Sequence, residues 1–395
     1  MTNPDAARNM SLLKQQNRAA ILRAIRRSGG LARSELSAMT GLSKGGLTPL
    51  VGELMALGLV SETVSLKTPS GRKPLRLELC AEGCSALAVD WTRTELRAAL
   101  VDFCGRPVRT LRRELERGLD APRVLRRIAG MLRALRGDAA SGLLGVGVVA
   151  PGPLDMEAGR ILNPPNFNGW HDVAIAQYLG QHTGLPIFVD NNANAHAQAE
   201  SDHGHGKQYQ SFAHVIVDEG VGGAIVVQNE ILRGPSRRGS ELGHITLHMG
   251  GKPCPCGNTG CVERYAAIPE LLMSIPAEHR PASFSGFVAR LQAGDPHCAA
   301  AMEREGAYLA NLLISLANLF EPEALVLGSR ITGAGGALVR SMEAHLSAHP
   351  AGRAAAVPIL LSQLENPSLI GSASIVFDHF LSGDLGSYEQ VLGKH

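Results

Sequence analysis

The sequence predicts an α/β protein with an N-terminal winged helix-turn-helix followed by a two-lobed α/β body. Three observations carry that prediction. The first 79 residues read as three helices and a β-hairpin, strands alternate with helices from residue 85 onward, and the excess of basic charge is confined to the first module.

At 395 residues the chain suits two or three domains, each able to bury a core without disulfides. Hydrophobic residues make up 45% and charged residues 19%. No run of about 18 apolar residues appears and no signal-peptide pattern opens the chain, so membrane insertion is not expected and a cytoplasmic location is. The net charge of +2 conceals an asymmetry: residues 1–76 carry 12 Lys and Arg against 4 Asp and Glu, and the remainder 26 against 32. A basic module on a mildly acidic body points to a polyanion partner for the module alone. Cys80, Cys84, Cys104 and Cys298 lack the spacing of a disulfide framework and read as ordinary reduced cysteines.

Apolar positions Leu12, Leu13, Ala19, Ala20, Leu22, Ala24 and Ile25 fall mostly at helical spacing over 11–27, stopped by Gly29-Gly30. A second helix fits 33–39 and Gly41 turns the chain. Ser43 is a good N-cap for a third helix running to about Leu57. Alternating strands at 59–64 and 74–79 flank the basic tip 67–73, which gives a wing. The third helix is expected in the major groove of operator DNA, with Ser43, Lys44 and Thr48 near bases and phosphates. Arg33, at the start of the second helix, and Arg72 and Lys73, at the wing tip, complete the DNA-binding set. Gly45-Gly46 is unusual in a helix, where each glycine costs about 1 kcal/mol relative to Ala; it permits close backbone approach or marks a weak helix start.

In the body, 85–90 and 96–102 read as a hairpin and 143–149 as a buried strand. Further strands are expected at 185–190, 212–218, 224–227 and 324–327. The Arg-rich stretch 122–136 reads as a helix with a solvated face. The module is assigned to 1–79 and the body to 80–395.

The most specific motif is His244, nine residues, then Cys254-Pro-Cys256-Gly-Asn-Thr-Gly-Cys261. Three thiolates and an imidazole on a tight, glycine-bearing loop match a closed tetrahedral Cys₃His site, so one structural zinc is expected on the loop 244–261. Four protein ligands leave no open position for catalysis by the metal.

Glu241-Leu-Gly-His244, the cysteine loop and Val262-Glu263 resemble the signature of the ROK family of sugar kinases and sugar-responsive repressors. A winged helix ending in Gly71-Arg72-Lys73-Pro74 resembles the repressor branch. The resemblance spans about residues 12–380. It implies an actin-like ATPase (ribonuclease H-like) body of two α/β lobes with a sugar in the cleft, and a dimer or tetramer. It also implies sugar contacts from Asn191, Asn192, Glu241, His244 and Glu263, with Asn166 and Gly152 as weaker ones. Fixed carboxylates and amides suit the discrimination of hydroxyl epimers. His244 could bind zinc through one ring nitrogen and the sugar through the other.

Measured against kinases of that family, three motifs are altered. Asp-x-Gly-Gly-Thr-Lys becomes Asp90-Trp91-Thr92-Arg93-Thr94-Glu95. The base of Asn-Asp-x-Asn becomes Asn192, which accepts no proton near neutral pH. Gly-Thr-Gly-x-Gly-Gly becomes Asp218-Glu219-Gly220-Val221-Gly222-Gly223, whose two carboxylates repel a triphosphate unless a cation stands between them. The expected function is a sugar-responsive, DNA-binding transcriptional repressor without kinase activity. The alternatives are a sugar kinase that also binds DNA and a regulator that docks a transport protein instead of free sugar.

Overall fold

Local capping decides the layout of the N-terminal module. Helix α1 spans Pro4–Ser28 and α2 spans Arg33–Thr40, where Gly41 at φ +70° closes the helix in the left-handed conformation glycine tolerates. Ser43 then caps α3, Lys44–Ala56, its side chain accepting from the Gly46 N–H at 3.2 Å. Strands β1, Val60–Val64, and β2, Leu75–Leu79, pair antiparallel with Val60 opposite Leu79. Leu22, Ile25, Leu36, Leu47, Val51, Leu54, Leu59 and Leu77 are buried among these elements. The expected helices and strands are present, α1 beginning seven residues earlier than the apolar pattern suggested.

The computed structural model describes the chain except residues 1–3, 65–74, 93–94, 117, 119, 140–141, 165–168, 235–239, 349–351 and 394–395, with only the backbone described for 4–11 and 353. Arg72, Lys73 and Asn166 therefore lie outside the described residues.

The chain divides into two compact units, residues 1–203 with 366–395, and residues 204–365. The 79/80 boundary expected from sequence falls inside the first unit. The reason is a shared hydrophobic cluster: Ala19, Ile21, Leu22 and Ile25 of α1 are buried together with Ala86, Ala88, Phe103, Phe377, Phe380 and Tyr388.

The first unit's sheet orders its strands Pro107–Glu114, Glu95–Asp102, Ser85–Trp91, Leu143–Val149, Ile187–Asp190. Alternation assigns the faces. Ala86, Ala88, Ala99 and Val101 face the cluster with α1 and the helix Pro367–Ser382, whereas Leu87, Val89, Ala98 and Leu100 face the helix Ala121–Arg136. That helix buries Val124, Leu125, Ile128 and Leu132 and exposes Arg123 and Arg126, as expected of a solvated arginine face.

The second unit's sheet runs Glu230–Ile231, Val221–Val227, Phe212–Val217, Ala324–Gly328, Ile359–Leu361. In both sheets the strands, taken in chain order, lie third, second, first, fourth, fifth, with antiparallel pairs among the first three and parallel ones after. The helices Pro296–Phe320 and Gly336–Ser347 pack in the second unit's core through Leu309, Leu313, Leu316, Leu338 and Met342. The two altered phosphate motifs occupy equivalent places, the turn between the first and second strand of each sheet.

Candidate functional site

The cysteine loop brings its four expected ligands together. Their donor atoms all lie within 4.8 Å of one another. Cys256 Sγ is 3.7 Å from Cys261 Sγ, and Cys254 Sγ is 3.6 Å from His244 Nδ1. Four ligands tetrahedrally placed at about 2.3 Å from a metal stand about 3.8 Å apart, so the donor set fits a metal. Burial, reinforced by Cys254 and Cys256, pushes the Cys261 thiol up to about 12, while the Asn258 backbone N–H draws the Cys256 thiol down. Three adjacent thiolates coexist only around a cation. The loop is braced from outside by Thr246 bridging to Cys261 and by the Lys252 N–H donating to Tyr265 Oη at 2.8 Å. No side chain fits at Gly260, where a Cβ would meet the His248 carbonyl oxygen at 1.7 Å.

The residues expected from sequence to contact a sugar fall in both units. In the second, His244 turns Nδ1 toward the thiols, and its N–H donates to the Glu241 carbonyl at 3.0 Å. Glu241 itself is exposed. Glu263 begins the short helix Glu263–Ala266 and accepts from the Val221 N–H through Oε2 at 3.0 Å. Gly220 leaves room for that carboxylate, which a Cβ there would meet at 2.5 Å. Gly243 likewise packs against Val221. The metal loop, Glu263 and the turn after Phe212–Val217 are thus one assembly.

In the first unit, Asn191 caps the helix Asn192–His203, its Oδ1 accepting from the Asn194 N–H at 2.8 Å. Asp190 Oδ1 accepts from the Asn191 N–H and from Asn194 Nδ2, each at 2.8 Å. Asn192 Oδ1 accepts from Ser368 Oγ at 2.9 Å, and Ser368 Oγ lies 2.8 Å from His196 Nε2. Burial pulls the His196 imidazole down to about 3, with Arg97 adding to the effect, so this chain of hydrogen bonds is uncharged near neutral pH. Gly152 is exposed in the turn after Leu143–Val149.

Each of the two turns that resemble altered phosphate loops has an acidic residue paired with an arginine. Asp90 is buried and paired with Arg97 directly across the hairpin; burial still raises its carboxyl. Trp91, also buried, has its ring centroid 6.1 Å from that of Trp170 and precedes Thr92 and Arg93, which stand where the resembled motif has its paired glycines. In the second unit, Arg330 Nε donates to Asp218 Oδ1 at 2.5 Å and Nη2 to Glu219 Oε1 at 2.6 Å. Ser329 Oγ donates to Asp218 Oδ2 at 2.6 Å. The two carboxylates, expected to repel a phosphate unless a cation stands between them, are therefore both paired with, and half neutralised by, one arginine more than a hundred residues away. Sequence alone missed Arg97, Arg330, Ser368 and His196, none of which belongs to a local motif.

On the N-terminal module, Ser43, Lys44 and Thr48 are exposed at the start of α3. Among the described residues, nothing beyond its chain neighbours and its own helix backbone lies within 4 Å of a Cβ built at Gly45. Arg33 is tied to Glu62 of β1 at 2.7 and 2.9 Å, so its charge is largely matched within the module.

Residues 86–379 match the model of the ROK family. The xylose repressor of Bacillus subtilis is 28% identical over 379 residues, covering 94% of this chain and 98% of that protein. The crystal structure of a ROK family transcriptional regulator, homologous to the Mlc protein of E. coli, superimposes with a TM-score of 0.78 at 26% identity, covering 97% of this chain and all of that one. A ROK hexokinase from Thermus thermophilus superimposes at 0.64 with 29% identity and covers 75% of this chain.

Proposed function

Because the chain belongs to the ROK family, in which a repressor and a transcriptional regulator align with 94% and 97% of it, we propose that it is a sugar-responsive transcriptional repressor that binds operator DNA through residues 1–79. The observation that carries this reading is the exposed N-terminal turn of α3 on a basic module, continuous with a body whose two phosphate turns are closed by Arg97 and Arg330. The ROK regulator covers 97% of this chain and the xylose repressor 94%, whereas the hexokinase covers 75% of it.

On this reading α3 enters the major groove, with Ser43, Lys44 and Thr48 at bases and phosphates, and the bare surface at Gly45 lets the DNA backbone come close. Arg72 and Lys73 add wing contacts, and Arg33 acts mainly by bracing α2 against β1. The metal is zinc, held by His244, Cys254, Cys256 and Cys261. Its chemistry is structural: it fixes the His244 tautomer so that Nε2 faces a sugar hydroxyl, and it sets Glu263 two residues beyond Cys261. Asn191, Asn192, Glu241 and Glu263 supply the remaining hydrogen bonds, with Gly152 and Asn166 at the margin. Asn192 offers an amide where a kinase needs a base, so ligand is bound without phosphoryl transfer.

A homo-oligomer, dimer or tetramer, presents two modules to two half-sites, and sugar binding changes their spacing. Among the described residues no helix is long and apolar enough to cross a membrane. The test is a duplex selected from genomic fragments by the purified protein, followed by titration with D-xylose, other pentoses, hexoses, amino sugars and their phosphates. Release of the duplex by one of these sugars is expected; no sugar weakening the complex contradicts the reading.

A further inference from the structure

We propose that Arg26, Asp202 and Asp378 form the joint through which ligand at Asn192 is felt by the DNA-binding helices; this rests on the sugar-responsive reading above. Two helices of the first unit, Asn192–His203 and Pro367–Ser382, lie side by side, backbone against backbone. A Cβ at Gly371 would meet the Ala195 carbonyl oxygen at 1.8 Å. At their N-terminal ends they are joined by the Ser368–Asn192 and Ser368–His196 hydrogen bonds. Toward their C-terminal ends Asp202 and Asp378 take hold of one guanidinium, that of Arg26 on α1, at 3.2 and 2.5 Å. Ten residues of helix carry the connection about 15 Å from Asn192 to Asp202.

The character of the joint distinguishes it from ordinary packing. Apolar contacts can slide by fractions of an ångström at little cost, but a buried charge separated from its partner loses what offsets its desolvation. The Arg26 side chain is 4% exposed and that of Asp202 also 4%, so α1 must follow the helix pair. Arg26 grips through Nη2 alone; its Nε and Nη1 are buried without a hydrogen-bond partner among the described residues. Those donors allow the guanidinium to shift its hold between the two carboxylates while remaining paired, giving the joint two arrangements. From Arg26 the connection continues along α1 to Arg18, whose Nε donates to Glu53 of α3 at 2.9 Å. Lys14 holds the same carboxylate at 2.7 Å. The route therefore ends on the helix that exposes Ser43, Lys44 and Thr48. Arg26, Asp202 and Asp378 touch neither ligand nor DNA and act as positioning residues.

The experiment is hydrogen exchange by mass spectrometry on the full-length protein, with and without a panel of pentoses, hexoses, amino sugars and their phosphates. Wild type is compared with Asp378→Asn, which keeps the shape and removes one charge. In wild type a bound sugar is expected to change exchange both in 192–203 and in 12–56. In the variant the change in 192–203 persists, and that in 12–56 falls at least threefold. Should Asp378→Asn fail to fold, Arg26→Lys, which keeps the buried cation, carries the same test. A purely structural role would alter exchange in the unliganded variant and leave the ligand-induced difference intact; that result overturns the proposal and spares the sugar reading. No sugar changing exchange anywhere in wild type overturns the sugar reading itself.

Discussion

Arg330 reaches back across the second sheet's C-terminal edge to Asp218, donating from Nε to Oδ1 at 2.5 Å. With Glu219 Oε1 accepting from the same side chain at 2.6 Å, the turn that would wrap a nucleotide phosphate in a kinase is an internal ion-pair cluster. Its counterpart in the first sheet carries the buried Trp91 and the pairing of Asp90 with Arg97.

That arrangement predicts the outcome of a rescue experiment. In an ATP-coupled assay with hexoses, pentoses and amino sugars the protein should show no turnover. Asn192→Asp should not create it, because a restored base contributes about 10²–10⁴-fold only to a nucleotide that is already bound. Turnover in the wild type would show that the phosphate turns still accept ATP.

The metal prediction concerns order of loss. One zinc per chain is expected by elemental analysis, and Cys261→Ser should abolish it. The four residues that could hold the metal lie in the second unit and the helices proposed to bind DNA in the first, so chelation should remove sugar binding while operator affinity changes less than about threefold. Parallel loss of both would show that the metal maintains the whole protein.

Lys44 is tested through salt. If it neutralises a phosphate, Lys44→Ala should weaken operator binding and reduce the steepness of log K against log salt concentration by about 0.9. Weakening with an unchanged slope would place Lys44 away from the DNA backbone.

His196 gives a pH signature. Its pKa is held down to about 3 by burial, against about 6.5 in an unfolded chain. The unfolded state therefore takes up a proton that the folded state refuses, and stability falls as pH drops from about 6.5 toward 3, by at most about 1.4 kcal/mol per unit. Urea midpoints at pH 7, 6 and 5 should fall less steeply in His196→Gln than in wild type. Equal slopes would mean that His196 is protonated in the folded protein.

Much of this architecture was legible in the sequence because its signals are local. Ser43 and Gly41 bound the helices, alternation at 85–102 revealed a hairpin, and the spacing of His244, Cys254, Cys256 and Cys261 announced the cluster the structure assembles. The missed features depend on contacts across long separations. Asp218 and Glu219 looked repulsive because nothing near them in sequence identifies Arg330 as their partner. The boundary at residue 79 looked natural because the wing ends there, yet α1 buries Ile21 and Ile25 in the same cluster as Phe377 and Phe380. Arg26 read as one more basic residue of a DNA-binding module, whereas it is an internal cation shared by Asp202 and Asp378.

The most direct test of the central claim is calorimetric titration of sugar into the protein with and without saturating operator duplex. Coupled binding is reciprocal, so the factor by which sugar weakens DNA binding must reappear as the factor by which DNA weakens sugar binding, expected in the range of about 5–150-fold. Equal sugar affinity in the two titrations would contradict a sugar-switched repressor.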